Sequence, residues 1–150
     1  MAARFDGEMG AFREFNVVRD STSSKIAFDG WPTPILFSGF EIGAAIHTGL
    51  PLIHNDQIHD SPVKDVFARS IPLDPHDQNG RMSWDETAVL VAVRGYATYF
   101  TAVGGKIICH DNGSNGWDKE GTRDHYLVRK MPVVELEKVI DELMMHQPQR

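Results

Sequence analysis

The sequence predicts an α/β fold, and three observations carry that prediction. Pro34-Ile35-Leu36-Phe37-Ser38 is a short apolar run bounded by turn formers, the pattern of a strand buried on both faces as in a parallel sheet. It is preceded and followed by segments with helical signals, and helix, strand, helix in succession builds layered α/β structure. The stretch from Pro132 to Met145 places Val133, Leu136, Ile140, Leu143 and Met144 on one stripe with acids opposite, which predicts a helix covering a sheet.

The remaining elements follow in chain order. Residues 10–19, "GAFREFNVVR", read as a loop. Asp20 or Ser21 caps a short helix to about Phe28, which "DGWPTP" stops with Gly30 and two prolines. After the strand at 34–38, a helix of about two turns is expected from Glu41, closed by Gly49. Residues 50–60 are polar and irregular. "SPVKDVFARSI" then reads as a helix with Ser61 as its cap and Pro62 at its first position.

Another irregular stretch leads to "SWDETAVLVAV", residues 83–93. Its apolar run has no clear period, but Ser83 as cap with Asp85 and Glu86 in the first turn tips it to helix. Two roles stay open for Asp85 on this pattern: a first-turn acid suited to the helix dipole, or a ligand for a cation or a hydroxyl-rich substrate. Beyond Gly95, Thr98–Ala102 and Lys106–His110 read as strands joined near Gly104-Gly105. "HDNGSNGWDKEG" reads as a loop and "DHYLVRKM" as a further strand. No repeat or low-complexity tract divides the 150 residues, so one domain is expected.

Composition narrows the function. A net charge of −6 with scattered Lys and Arg argues against a nucleic-acid partner, which needs clustered basic residues. No apolar run reaches the roughly 18 residues of a membrane span, so no membrane partner is expected. Residues 1–10 lack the apolar core of a signal peptide. Cytoplasmic placement follows if Met1 is the natural start, whereas a longer protein could carry its leader upstream, so the compartment stays unknown.

The single cysteine, Cys109, excludes an internal disulfide and reads as a small buried hydrophobe. Of the seven histidines, His54 and His59 crowd one loop with Asp56 and Asp60, but without the spacing of a helical zinc pair. His110 and His125 fall near strand ends. No Gly-rich phosphate loop and no GxSxG elbow is present. In "REFN", extended geometry projects Glu14 and Asn16 to the same side, where a carboxylate and an amide together can grip neighbouring hydroxyls.

"EFNVVRDSTSSKIAFDGWPTPILFSGFEIG" followed by "GRMSWDETAVLVAV" resembles the C-terminal half of the inosine/uridine-preferring nucleoside hydrolase family, and especially its nucleoside hydrolase-like bacterial branch. The resemblance runs from about Phe5 to Leu127. It implies the C-terminal part of an open, mostly parallel sheet with flanking helices, a calcium ion at the carboxyl ends of the strands, and hydrolysis of the N-glycosidic bond of a ribonucleoside. It makes Glu14 and Asn16 ligands of the ribose hydroxyls and Asp85 a calcium ligand, leaving Glu86 an ordinary first-turn acid.

Two departures from the family pattern shape the expectation. The family's histidine before the calcium-ligating Asp, which helps the base leave, is here Trp84, a side chain that stacks on rings but is no acid. Trp84 is therefore expected to bind substrate, and no catalytic residue is assigned. Glu41 stands where familiar members have Asp and receives no role. The family's aspartate-rich N-terminal motif, which supplies most calcium ligands and the general base, has no counterpart in the chain.

The expectation is thus the C-terminal portion of a longer calcium-dependent N-glycosidase. Alone it would be inactive and would hold Ca²⁺ weakly or not at all, and it could form a homo-oligomer. Its partner would be a ribonucleoside or related riboside. The alternative is a non-catalytic sugar or nucleoside binding module with Trp84 as a stacking platform.

Overall fold

A computed structural model describes residues 1–147. In chain order the helices are α1 (Phe15–Val18), α2 (Ser21–Gly30), α3 (Phe40–Gly43), α4 (Leu50–Ile53), α5 (Pro62–Ser70), α6 (Trp84–Arg94) and α7 (Val133–Met144). The strands are β1 (Leu36–Phe37), β2 (His47–Thr48), β3 (Arg81–Met82), β4 (Phe100–Cys109), β5 (Asn115–Asp118) and β6 (Asp124–Arg129). The architecture is mixed α/β, with flanking helices on a four-stranded sheet of order β1-β6-β4-β5 and a separate two-stranded β2-β3 ladder.

The expectation of a mostly parallel sheet is corrected. β1 does pair parallel with β6, Leu36 opposite His125, but β6–β4 and β4–β5 are antiparallel. The reason is connection length. A short turn reverses the chain from β4 into β5, and β6 continues in the direction of β5 along the first part of β4, whereas β1 reaches its parallel neighbour only after the intervening helices have crossed over.

Two layers of core flank the sheet. On one face Phe37, Ile107 and Cys109 pack with Ala3, Phe5 and Val17, and Phe28 of α2 meets the Phe37 ring edge-on at 5.3 Å. On the other, Leu127 and Phe100 pack with Leu90 of α6 and Leu136 and Ile140 of α7. The α7 stripe read from the sequence is therefore buried at its centre, with Pro132 in the cap position. The acids opposite are not all solvated. Glu137 accepts the His47 N–H at 2.8 Å and Asp141 the Gly49 N–H at 2.8 Å, closing the open side of β2.

Local capping was legible and holds. Asp20 accepts the Ser23 N–H at 2.9 Å to open α2, and Ser61 accepts the Lys64 N–H at 3.3 Å to open α5. Ser61→Ala is expected to cost about 1 kcal/mol, the usual worth of such a cap, read as a lower urea midpoint at unchanged slope. Ser83 stands at the cap position of α6, yet its hydroxyl bonds Thr48 Oγ1 at 2.7 Å instead of the helix end.

Three other expectations are corrected. The helix foreseen from Glu41 to Gly49 stops at Gly43, because residues 47–48 pair with β3. The loop at 110–121 contains β5. The hairpin foreseen at Gly104-Gly105 does not form: β4 runs through both glycines, and a Cβ at Gly105 would strike the Trp117 indole lying over it. Glycine there marks close approach, not a turn. No helix among the described residues is long and apolar enough to cross a membrane.

Candidate functional site

Glu14, Asn16 and Trp84 come together at the carboxyl end of β1, where the chain's first residues come alongside. Ala2 N–H donates to the Ser38 carbonyl at 3.3 Å, and Phe40 N–H donates to the Ala3 carbonyl at 2.8 Å. Ala3 sits at φ 65°, left-handed backbone that costs an L-residue about 1–2 kcal/mol. Such strain persists where neighbours over-determine it, and here Glu14 does so.

The Glu14 carboxylate is only 2% exposed. It accepts Asn16 N–H at 3.0 Å on Oε1, and Val17 N–H and Ala3 N–H, each at 3.3 Å, on Oε2. Glu14 thus caps α1, a single turn inside the segment expected to be a loop, and clamps residues 1–3 to it. About four acceptor positions exist on a carboxylate, and three are taken by backbone. Asn16 is exposed, and its amide donates to the Met1 carbonyl at 3.4 Å.

Trp84 joins the same network from α6. Its indole N–H donates to the Phe40 carbonyl at 3.1 Å, and its ring packs on Phe40 at 5.6 Å between centroids. Phe40 in turn meets Phe12 at 4.7 Å. The Arg4 guanidinium lies 4.6 Å over the Phe12 ring and is held by Asp6 at 2.8 Å and Glu8 at 2.7 Å. The first turn of α6 is tied to β1 by Ser38 Oγ and Thr87 Oγ1, 3.0 Å apart. Glu14, Asn16 and Trp84 therefore belong to one constellation, linked through Ala3 and Phe40.

Asp85 does not share it. It is exposed and, with Glu86, lines a mostly aliphatic cavity of about 400 Å³ between α6 and α7, to which neither Glu14 nor Asn16 contributes. Burial pushes the Glu86 carboxyl above the ordinary carboxylate range, and the neighbouring Asp85 charge adds to this against the pull of backbone N–H groups. Among the described residues no group of three His, Cys, Asp or Glu gathers in a way that could hold a metal ion. Asp85 alone does not fit Ca²⁺, which takes six to eight oxygens.

Sequence reasoning missed Arg4, Phe12, Phe40 and Glu41 as part of this region. Glu41 folds against Gly39 and accepts the Phe5 N–H at 3.2 Å, and burial raises its carboxyl above the ordinary range. The available signal was aromatic spacing around "REFN" and "SGFE", which carries no period to mark it. Cys109 is buried as expected, and that burial pushes its thiol up. No family model, no curated protein and no solved structure matches this chain.

Proposed function

We propose that this chain is the ribose-facing, C-terminal part of a calcium-dependent N-glycosidase acting on ribonucleosides, and that it is inactive alone. The observation supporting this reading is that "EFN" and Trp84, almost 70 residues apart in sequence, meet through residues 1–3 and 38–40 at the carboxyl end of β1. Ligands of open α/β sheets bind at such strand ends. Asn16, exposed and carrying both donor and acceptor, would take the ribose hydroxyls. Glu14, buried on three backbone N–H groups, would hold that loop in place. The calcium dependence of this reading would rest on ligands outside this chain, because Asp85 lies apart from Asn16 and does not fit the ion alone. N-glycosidic cleavage develops oxocarbenium character on the sugar, which carboxylates near the ribose stabilise.

A binding module is the second reading, favoured by Trp84. An indole is no acid for the leaving base, and this one has its N–H committed to Phe40. Inosine titrated into the whole chain, followed by amide resonances, separates the two. Shifts centred on Asn16 and lost in Asn16→Ala are expected under both. Shifts that persist with a chelator and vanish in Trp84→Ala favour the module, whereas shifts confined to other faces overturn both readings. Calorimetry should give weak or no calcium binding, and nanomolar affinity would defeat the glycosidase-part reading.

A further inference from the structure

A cavity of about 520 Å³ opens between α7, the start of α4 and His47 of β2. Its size is that of a small-molecule pocket, about 300–1,000 Å³. It shares no residue with the constellation of Glu14, Asn16 and Trp84. Two carboxylates of α7, Glu137 and Asp141, stand in it one helical turn apart. Each commits one oxygen to the backbone, Glu137 Oε1 to the His47 N–H and Asp141 Oδ1 to the Gly49 N–H. Among the described residues nothing bonds Asp141 Oδ2, and no cationic side chain pairs with either carboxylate. Asp141 is only 5% exposed, yet every fully buried side-chain oxygen or nitrogen among those residues has a partner. Oδ2 is therefore the atom through which Asp141 meets the cavity.

The charge balance of the cavity is negative. Its lysine, Lys138, lies 3.9 Å from Glu142 and offsets that residue, which leaves Glu137 and Asp141 uncompensated. Burial and the neighbouring Glu137 charge hold the Asp141 carboxyl above the ordinary range, against the pull of the Gly49 N–H. At Met145 the cavity reaches the C-terminal end of α7, the negative end of the helix dipole, and the last turn there carries no basic residue. The remaining walls are largely apolar. Leu50 and Met145 pack on the Leu52 cluster, and Val134 is 74% exposed at the rim. A metal ion does not suit this arrangement, because no group of three ligating side chains gathers among the described residues. An organic cation does, with N–H donors for the carboxylates and an apolar body for the walls.

We propose that this cavity binds a small primary amine with an apolar body, its ammonium held by Asp141 and Glu137 and its body lying against Leu50, Val134 and Met145. An ammonium donates three hydrogen bonds and accepts none, which matches a carboxylate oxygen that lacks a donor. Bonds between two ionised groups are the stronger kind, and a half-buried site screens them less than open water does. A neutral ligand of the same shape would leave Asp141 without a counter-charge, and an anionic one would add to the repulsion between Asp141 and Glu137. The proposal goes beyond the glycosidase reading and does not rest on it.

The test titrates the whole chain with phenethylamine, and with phenethyl alcohol and hydrocinnamate as its neutral and anionic counterparts, each followed by amide resonances. The amine is expected to shift the His47 and Gly49 amides saturably, because their N–H groups bond to the two carboxylates. The alcohol should bind about tenfold more weakly, the worth of one hydrogen bond to a charged group, and the acid should not bind. Asp141→Asn keeps an acceptor for the Gly49 N–H and should weaken the amine by a similar factor. Should that variant not fold, Val134→Lys changes an exposed residue, sets the protein's own ammonium three positions from Glu137 and should compete with the amine. The absence of saturable shifts at His47 and Gly49, or equal binding of the alcohol, overturns the proposal. Tighter binding of Nα-acetyl-lysine methylamide than of the free amine also overturns it and assigns the cavity to a lysine side chain of a partner polypeptide.

Discussion

Asp124→Ala is expected to lower stability by about 3–5 kcal/mol, the cost of removing one partner from a buried ion pair, out of the roughly 5–15 kcal/mol that holds a domain. Asp124 is 0% exposed at the start of β6. Its Oδ1 accepts Ile35 N–H at 3.3 Å and Arg123 Nε–H at 2.8 Å, and its Oδ2 accepts Ile107 N–H at 3.4 Å and an Arg123 terminal N–H at 2.8 Å. One carboxylate thereby joins the approach to β1, the centre of β4 and a guanidinium that also donates to the Phe28 and Asp29 carbonyls at the end of α2. Alanine would leave the Ile35 and Ile107 N–H groups without their buried acceptor and the partly exposed Arg123 guanidinium without its carboxylate.

The same group sets an acid limit. Burial raises the Asp124 carboxyl, but the Arg123 hydrogen bonds and the N–H groups of Ile35 and Ile107 outweigh it and hold the carboxyl below the ordinary range. Its folded value lies under the unfolded value of about 3.9. The stability it contributes is therefore complete above about pH 4 and is lost as pH falls through the folded value. Urea denaturation across a pH series should show a steep loss below pH 4 in the native chain and a flatter one in Asp124→Ala. Equal slopes would mean that Asp124 is not the responsible carboxylate.

Gly43→Ala should act on the site as well as on stability. A Cβ at Gly43 would collide with Trp84 Cα and come within 2.6 Å of the Trp84 backbone nitrogen, and backbone cannot swing aside as a side-chain tip does. The Ser83 N–H, which bonds the Gly43 carbonyl at 3.1 Å and the Ile46 carbonyl at 2.9 Å, would be displaced with it. Overpacking of this kind costs about 1–3 kcal/mol, and the upper end applies because two backbones must part. The start of α6 would shift, drawing the Trp84 indole off Phe40. A changed Trp84 indole N–H resonance with a lowered thermal midpoint is the expected result. If both stay at their native values, the α3–α6 contact is looser than its geometry indicates.

Trp84 and Gly43 also illustrate where the sequence was silent. The acid pair at the mouth of α6 was visible, and so was the helix, but nothing in "SWDETAVLVAV" shows that Trp84 presses on a glycine some 40 positions earlier. Glu14 and Asn16 were singled out as a pair. Their separate placement, one buried on three backbone N–H groups and the other exposed, was not, because extended geometry assigned them a shared side and residues 15–18 form a helical turn. Gly104-Gly105 was misread for the converse reason. Glycine serves both turns and close approach, and only the Trp117 ring distinguishes them.

What the sequence by itself determined is what lies within one helical turn or one strand of itself. The Asp20 and Ser61 caps, the Leu136–Ile140 stripe of α7 and the apolar β1 next to proline are interactions between near neighbours, so they leave a period or a spacing that can be read. Tertiary structure decided the rest: the mixed sheet, the β2–β3 ladder closed by Glu137 and Asp141, the four donors around Asp124, and the separation of Asp85 from Glu14 and Asn16. A buried carboxylate takes whichever donors the packed backbone brings to it. That demand is satisfied across 17 to 92 residues of chain in the bonds from Asp124 to Ile107 and from Asp141 to Gly49, and a requirement met at such distance leaves no local pattern.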